Sequence, residues 1–165
     1  MGEVSSSSAV LLPYALSSVA VARQRIYSDL REWGVYGTAV DDAVLVVSEL
    51  LSNALRHAHP LPSGQVEVAW HRVDGHVEVA VSDGGATTEP RAAVPALSSL
   101  GGRGLGIVEF LAERWGVRYE GEVTTVWAVV ACPQSMNGDR ASSDVPALQS
   151  SPPVRKGRQA ATGLG

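Results

Sequence analysis

Three short stretches of the sequence bring together groups able to do chemistry. In residues 44–58, VLVVSELLSNALRHA, Glu49 and Asn53 stand four apart in a run that is otherwise apolar nearly all round. On a helix they fall about 40° apart, with Arg56 about 20° to the other side of Glu49, so a narrow polar stripe runs along a mostly buried helix. Burying an acid and an amide costs free energy unless something pairs with them. A hydrated Mg²⁺ ion, which takes oxygen ligands, meets that need: the Asn53 carbonyl oxygen binds it while Glu49 orients or deprotonates a nearby hydroxyl or water. The structural alternative is a network of Glu49 with Arg56 or Asn53 that only closes a polar seam.

The second stretch, VAVSDGG over residues 79–85, ends a strand-like alternation in an acid followed by two glycines. A turn explains it, because Asp accepts backbone hydrogen bonds and glycine permits positive φ. Its chemical reading has Asp83 accept a hydrogen bond from an exocyclic amine, such as that of adenine, while Gly85 lets the base pack against the backbone. The third, GGRGLGIV from residue 101, opens a helix with four glycines in six residues. Glycine inside a helix costs roughly 1 kcal/mol relative to Ala, so a use for these is expected. Backbone N–H groups at a helix N-terminus bind anions, Arg103 adds a charge, and phosphate is the obvious ligand. The spacing is that of neither a P-loop nor a dinucleotide fingerprint.

The elements that must position these groups follow from periodicity. Residues 15–33 have helical spacing from Leu16 to Trp33 and stop at Gly34. Thr38 followed by Asp41 reads as the N-terminal cap of a second helix, which runs to about His57 before Pro60 and Pro62. Residues 66–72 and 76–82 alternate strictly around Val73-Asp74-Gly75 and predict a β-hairpin. A third helix is expected over 103–115, then a hairpin of 116–120 and 125–131 around Gly121, with a short strand near residues 10–12. Segregated hairpins and helices predict an α+β two-layer sandwich with an antiparallel or mixed sheet. Trp33, Trp70, Trp115 and Trp127 fit core positions, and His57 and His59 fit a helix C-terminus or a phosphate neighbour.

Composition narrows the function. The chain has 165 residues, formal net charge −4 and 12 Arg against a single Lys, so it lacks the basic footprint of a nucleic-acid binder. Cys132 is the only cysteine and no Cys/His cluster has zinc spacing, which favours a reducing cytoplasm and a metal-free scaffold. The apolar stretch 9–22 is interrupted by Pro13 and preceded by Glu3 without Lys or Arg, unlike a secretory leader, and is too short to span a membrane. From residue 133 onward Ser, Pro, Gly, Gln and Ala dominate, so two parts are expected: a domain over 1–132 and a disordered polar tail over 133–165.

In this order, the acid–Asn helix, the Asp-Gly-Gly strand end and the GxGxG helix start resemble the motifs of the GHKL ATPase superfamily. Within it, SELLSNALRHA, VSDGG, GGRGLGIV and TVWAVV are most similar to stand-alone anti-sigma-factor serine/threonine kinases of actinobacteria, over roughly residues 10–131. The resemblance implies a Bergerat-type ATP site with a lid over residues 86–100. It makes Glu49 the general base and Asn53 the Mg²⁺ ligand, with Arg56 near the phosphates. Asp83 would hold the adenine amine, with Gly85 making room for the ring. Gly102, Arg103, Gly104, Leu105 and Gly106 would surround the phosphates, and Thr124 or Thr125 would complete the adenine site. Thr87 departs from the pattern, standing where a second motif glycine usually does. The phosphoacceptor helix of true histidine kinases is absent, so autophosphorylation is not expected.

The resemblance thus implies a cytoplasmic Mg²⁺-ATP-dependent kinase that phosphorylates an anti-anti-sigma protein on serine and sequesters a sigma factor. It implies no direct contact with nucleic acid or membrane, and a homodimer is compatible with it. The alternative is an ATP-binding regulatory module that interacts with proteins without kinase activity.

Overall fold

The computed structural model describes residues 5–86 and 103–133. Five strands and three helices follow in the order β1 (Ser6–Pro13), α1 (Ser17–Glu32), α2 (Thr38–His57), β2 (Gln65–Val73), β3 (His76–Asp83), α3 (Arg103–Leu111), β4 (Arg114–Glu120) and β5 (Val123–Ala131). The strands form one fully antiparallel sheet in the order β1-β2-β3-β5-β4. The architecture is the α+β sandwich that the segregation of hairpins and helices predicts, with the antiparallel form of the sheet. No helix among the described residues is long and apolar enough to cross a membrane.

Alternation decides which side of the sheet meets the helices. Val66, Val68 and Trp70 of β2 are buried, as are Val77, Val79 and Val81 of β3. They join Ala128 and Val130 of β5 in one core with Ala22, Ile26 and Leu30 of α1 and the apolar faces of α2 and α3. The β2–β3 turn has positive φ at both Asp74 (46°) and Gly75 (73°), the type I′ geometry that suits a two-residue hairpin loop. Trp70 is buried and donates its indole N–H to Asp29 of α1 at 3.0 Å, tying sheet to helix layer.

Several boundaries differ from the sequence expectation, each for a tertiary reason. β1 is a full strand of eight residues rather than a short one, because it pairs along its whole length with β2. Thr38 is the first residue of α2 and makes no capping bond; Gly37, with φ of 67°, takes the cap position. Gly34 (φ 78°) and Gly37 together let the chain reverse between α1 and α2. α3 ends at Leu111 instead of continuing to 115, since the Glu113 N–H bonds the Val129 carbonyl and Arg114 pairs with Val129 in the sheet. Trp127 is not a core residue. It lies on the face turned away from the core, where Gly116 backs it so closely that an added Cβ would stand 2.8 Å from the ring, and Arg118 stacks on it at 5.0 Å. The expected tail beyond Pro133, the expected lid beyond Ala86 and Gly102 lie outside the described residues.

Leu51 is fully buried in the α2 face of the core. Leu51→Ala is expected to cost about 2–5 kcal/mol in urea denaturation, against less than about 0.5 kcal/mol for Leu45→Ala, whose side chain is 40% exposed on the same helix.

Candidate functional site

A cavity of about 460 Å³ opens between α2, the end of β3, the start of α3 and the β4–β5 hairpin. Asn53, Asp83, Gly85, Leu105 and Thr124 line it, so three stretches far apart in sequence meet there. A groove of about 540 Å³ also lies along α1 and α2, but Arg23 is the only charged side chain in its wall. It gathers no acid and no glycine run, and its one amide is Gln24, whereas the first cavity brings together Asn53, Asp83 and Gly85.

Its floor is made by two segments that leave neighbouring elements. After α2 the chain runs alongside the chain that leaves β3: Gly84 N–H donates to the His59 carbonyl and His59 N–H to the Gly85 carbonyl, both at 2.8 Å, and Ala58 bridges Ala86. Gly84 has no alternative residue here, because a Cβ would run into the Pro60 carbonyl. Gly85 has φ of +90°, a backbone conformation that side chains resist, and its open side faces Thr124 Oγ1 and the Glu122 carbonyl, each 3.6 Å from where a Cβ would be. Glycine is thus required at Gly85 by its positive φ and at Gly84 by the close approach of Pro60.

Asp83 ends β3 on the core side, only 4% exposed. Its Oδ1 accepts the Gly85 N–H at 2.7 Å. Burial pushes its carboxyl up to about 6, the Gly85 N–H pulling the other way. Asn53 lines the same cavity, and its amide nitrogen is buried without a hydrogen-bond partner. A buried orphan donor on a pocket wall is an arrangement that a polar ligand would complete.

The sheet register decides between the two threonines. Thr124 pairs with Asp83 and so shares its face, whereas Thr125 pairs with Ser82, their hydroxyls 2.7 Å apart, on the opposite face. Thr125 therefore does not line the cavity. Glu49 is half-buried one turn before Asn53 on α2, and neither it nor the exposed Arg56 belongs to the cavity wall. Arg103 and Gly104 start α3, Leu105 is buried against the cavity, and Gly106 is open, with nothing within 4 Å of an added Cβ. Gly102 and Thr87 fall outside the described residues.

The sequence reading missed Tyr119 and Glu122, which join the wall from the β4–β5 hairpin. Only the Thr124–Asp83 register places that hairpin over the cavity, and nothing local in its residues signals it. His57, expected at a helix end or beside a phosphate, lines the cavity as well. Among the described residues no group of three His, Cys, Asp or Glu side chains is placed to hold a metal ion.

Comparison with known proteins gives the fold a wider setting. The family model of the histidine kinase-like ATPase domain matches residues 12–130. Among solved structures, the RsbU and RsbW domains of Rv1364c from Mycobacterium tuberculosis superpose with a TM-score of 0.59 at 20% identity, covering 76% of this chain and 32% of that one. The chain thus spans about a third of that solved chain's length, and the likeness is one of fold. The Acinetobacter baumannii histidine kinase AdeS aligns with a TM-score of 0.41 at 16% identity, over 76% of this chain and 68% of that one. Comparison with curated proteins finds no match.

The raised carboxyl of Asp83 sets a pH dependence with a definite sign. Folding favours its protonated form, so its contribution is fully favourable below the ordinary value of 3.8 and is lost as pH rises through about 6. Asp83→Asn, which keeps the acceptor for Gly85, is expected to stabilise the free protein by about 2–3 kcal/mol at pH 8. The gain should vanish at pH 4, as urea titrations of both proteins at the two pH values would read.

Proposed function

The chain belongs to the histidine kinase-like ATPase domain family, and from that premise we propose that it is a Mg²⁺-ATP-dependent serine/threonine protein kinase of the anti-sigma type. In this reading it phosphorylates an anti-anti-sigma protein on serine and, in the alternative partner state, sequesters a sigma factor in the cytoplasm. The family implies ATP binding; the protein substrate, the partners and the metal ion are the finer part of the proposal. The observation that carries it is the meeting, in one cavity, of a buried carboxylate with an orphaned buried amide.

Those residues suit a nucleotide. Asp83 has spent Oδ1 on Gly85 and keeps Oδ2 for an exocyclic amine, which is how a carboxylate in an apolar wall would select adenine. Leu50, Val81 and Leu105 supply apolar surface for the ring, and Thr124 adds a hydroxyl on the Asp83 side. In this reading the backbone N–H groups of the first turn of α3, where Gly104 and Gly106 lack side chains, would face phosphate, and Gly102 and Arg103 are assigned to the same role from the sequence pattern alone. Asn53 would hold Mg²⁺ through its carbonyl oxygen, since this ion keeps much of its water and needs few protein ligands. When bound, the ion supplies charge neutralisation on the phosphates. Glu49, one turn away on the same helix, would accept the proton of the attacking serine hydroxyl, and Arg56 would add positive charge near the transferred group.

A second reading, an ATP-binding interaction module without phosphoryl transfer, is favoured by two observations. Glu49 is not part of the cavity wall, and Thr87 stands where the family pattern usually has glycine.

The two separate in one set of measurements. Calorimetric titration should show ATP binding that strengthens with Mg²⁺, and Asn53→Ala should abolish most of the Mg²⁺ dependence, weakening binding about tenfold or more. Glu49→Gln should leave binding within about twofold of the parent yet slow phosphate transfer to a cognate antagonist by about 10²–10⁴. ATP binding with no transfer by the unmodified protein would establish the module reading instead, and absence of binding would end both.

A further inference from the structure

Tyr14 lies in the link between β1 and α1, forty residues upstream of the helix end it touches. Its hydroxyl faces three carbonyl oxygens at the C-terminal end of α2: Ala54 at 3.0 Å, Leu55 at 3.2 Å and, closest of all, Ala58. A helix end leaves its last carbonyls without intrahelical donors, and a phenolic O–H satisfies one of them at a time. The side chain is half-buried, and burial together with the nearby Asp83 charge raises its pKa. It therefore remains a donor throughout the working pH range.

The position of Ala58 matters beyond the helix. Ala58 bridges Ala86, the next residue His59 holds Gly84 and Gly85 by two hydrogen bonds, and the Gly85 N–H in turn orients the Asp83 carboxylate at 2.7 Å. A short run of bonds thus leads from the Tyr14 hydroxyl to the buried carboxylate of the cavity, which can accept from an exocyclic amine. We propose that Tyr14 is a positioning residue for base selection: by clasping the end of α2 at Ala58 it fixes the floor segment that aims Asp83 at an exocyclic amine. This rests on the ATP reading above. It gives β1 and its link to α1 a part in nucleotide specificity, although neither contributes a residue to the cavity wall.

The test uses the full chain and two probes, ATP and purine riboside triphosphate, which lacks the 6-amino group. A hydrogen bond to a charged acceptor predicts that the parent prefers ATP by about tenfold or more. Tyr14→Phe keeps the ring and removes only the hydroxyl. It should cut that preference to about threefold or less, with the loss on the ATP side and the affinity for the amine-free probe unchanged within about twofold. Replacing Tyr14 by p-aminophenylalanine, which restores an N–H donor at the same ring position, should return the preference to the parent value. It also serves as the test should the Phe variant fail to fold.

A Tyr14→Phe protein with the parent's preference, or one that weakens both probes equally, would overturn the inference and leave Tyr14 as a structural clasp. A folded aminophenylalanine variant without the preference would overturn it too. A parent that binds ATP no better than the amine-free probe would instead defeat the base-selection reading of Asp83, and the inference with it.

Discussion

Between the Pro60 carbonyl and the Gly84 backbone there is no space for a side chain, and the geometry of the cavity depends on that close approach. The chain leaving α2 and the chain leaving β3 are drawn together until His59 exchanges hydrogen bonds with Gly84 and Gly85. Two elements that the core merely packs side by side are thereby locked at their ends. A helix-to-sheet packing contact is non-directional and does not by itself set how two backbone ends face each other. Backbone hydrogen bonds in a short antiparallel bridge fix that placement to within a few tenths of an ångström. The cavity inherits this definition: Asn53 arrives from the helix and Asp83 from the strand, and the bridge sets how they face the same space.

Within that frame Asp83 is held under opposing influences. Desolvation penalises its charge, while the Gly85 N–H favours it, and the first is the larger. A carboxylate selected for folding alone would not be buried here with one oxygen left for a partner. The orphaned amide of Asn53 makes the same point from the other wall. Both are local defects in an otherwise apolar core of valine, leucine and alanine, and such defects gather where a ligand supplies what the protein withholds.

Much of this was legible in the sequence. Strict alternation in 66–72 and 76–82 gives the central hairpin, and the Asp74-Gly75 turn gives its register. The 3.6-residue period of 38–57 gives the helix that carries Glu49 and Asn53, and the conjunction of three motifs in order gives the family. What local reading lacks is anything decided by a partner distant in sequence. The extent of β1 depends on β2, the end of α3 on β5, and the outward turn of Trp127 on the phase of the sheet. Thr124 and Thr125 are chemically alike and adjacent, so only the pairing of β5 with β3 tells them apart. Nothing local marks Tyr14, whose partners at the end of α2 lie forty or more residues away.

That pairing of β3 with β5 has a meaning for how such a chain can vary over time. Asp83 and Thr124 point into the cavity for the same reason that Val79, Val81, Ala128 and Val130 point into the core: they occupy the same parity of their strands. The site therefore has no register of its own and borrows one from the hydrophobic packing. Point substitutions on the outer face leave that parity untouched, although Gly116 is held to glycine by the Trp127 ring. A single inserted or deleted residue within either strand flips every side chain beyond it, and no compensating change in the cavity can restore the phase. Length is thus more strictly inherited than identity across these two strands.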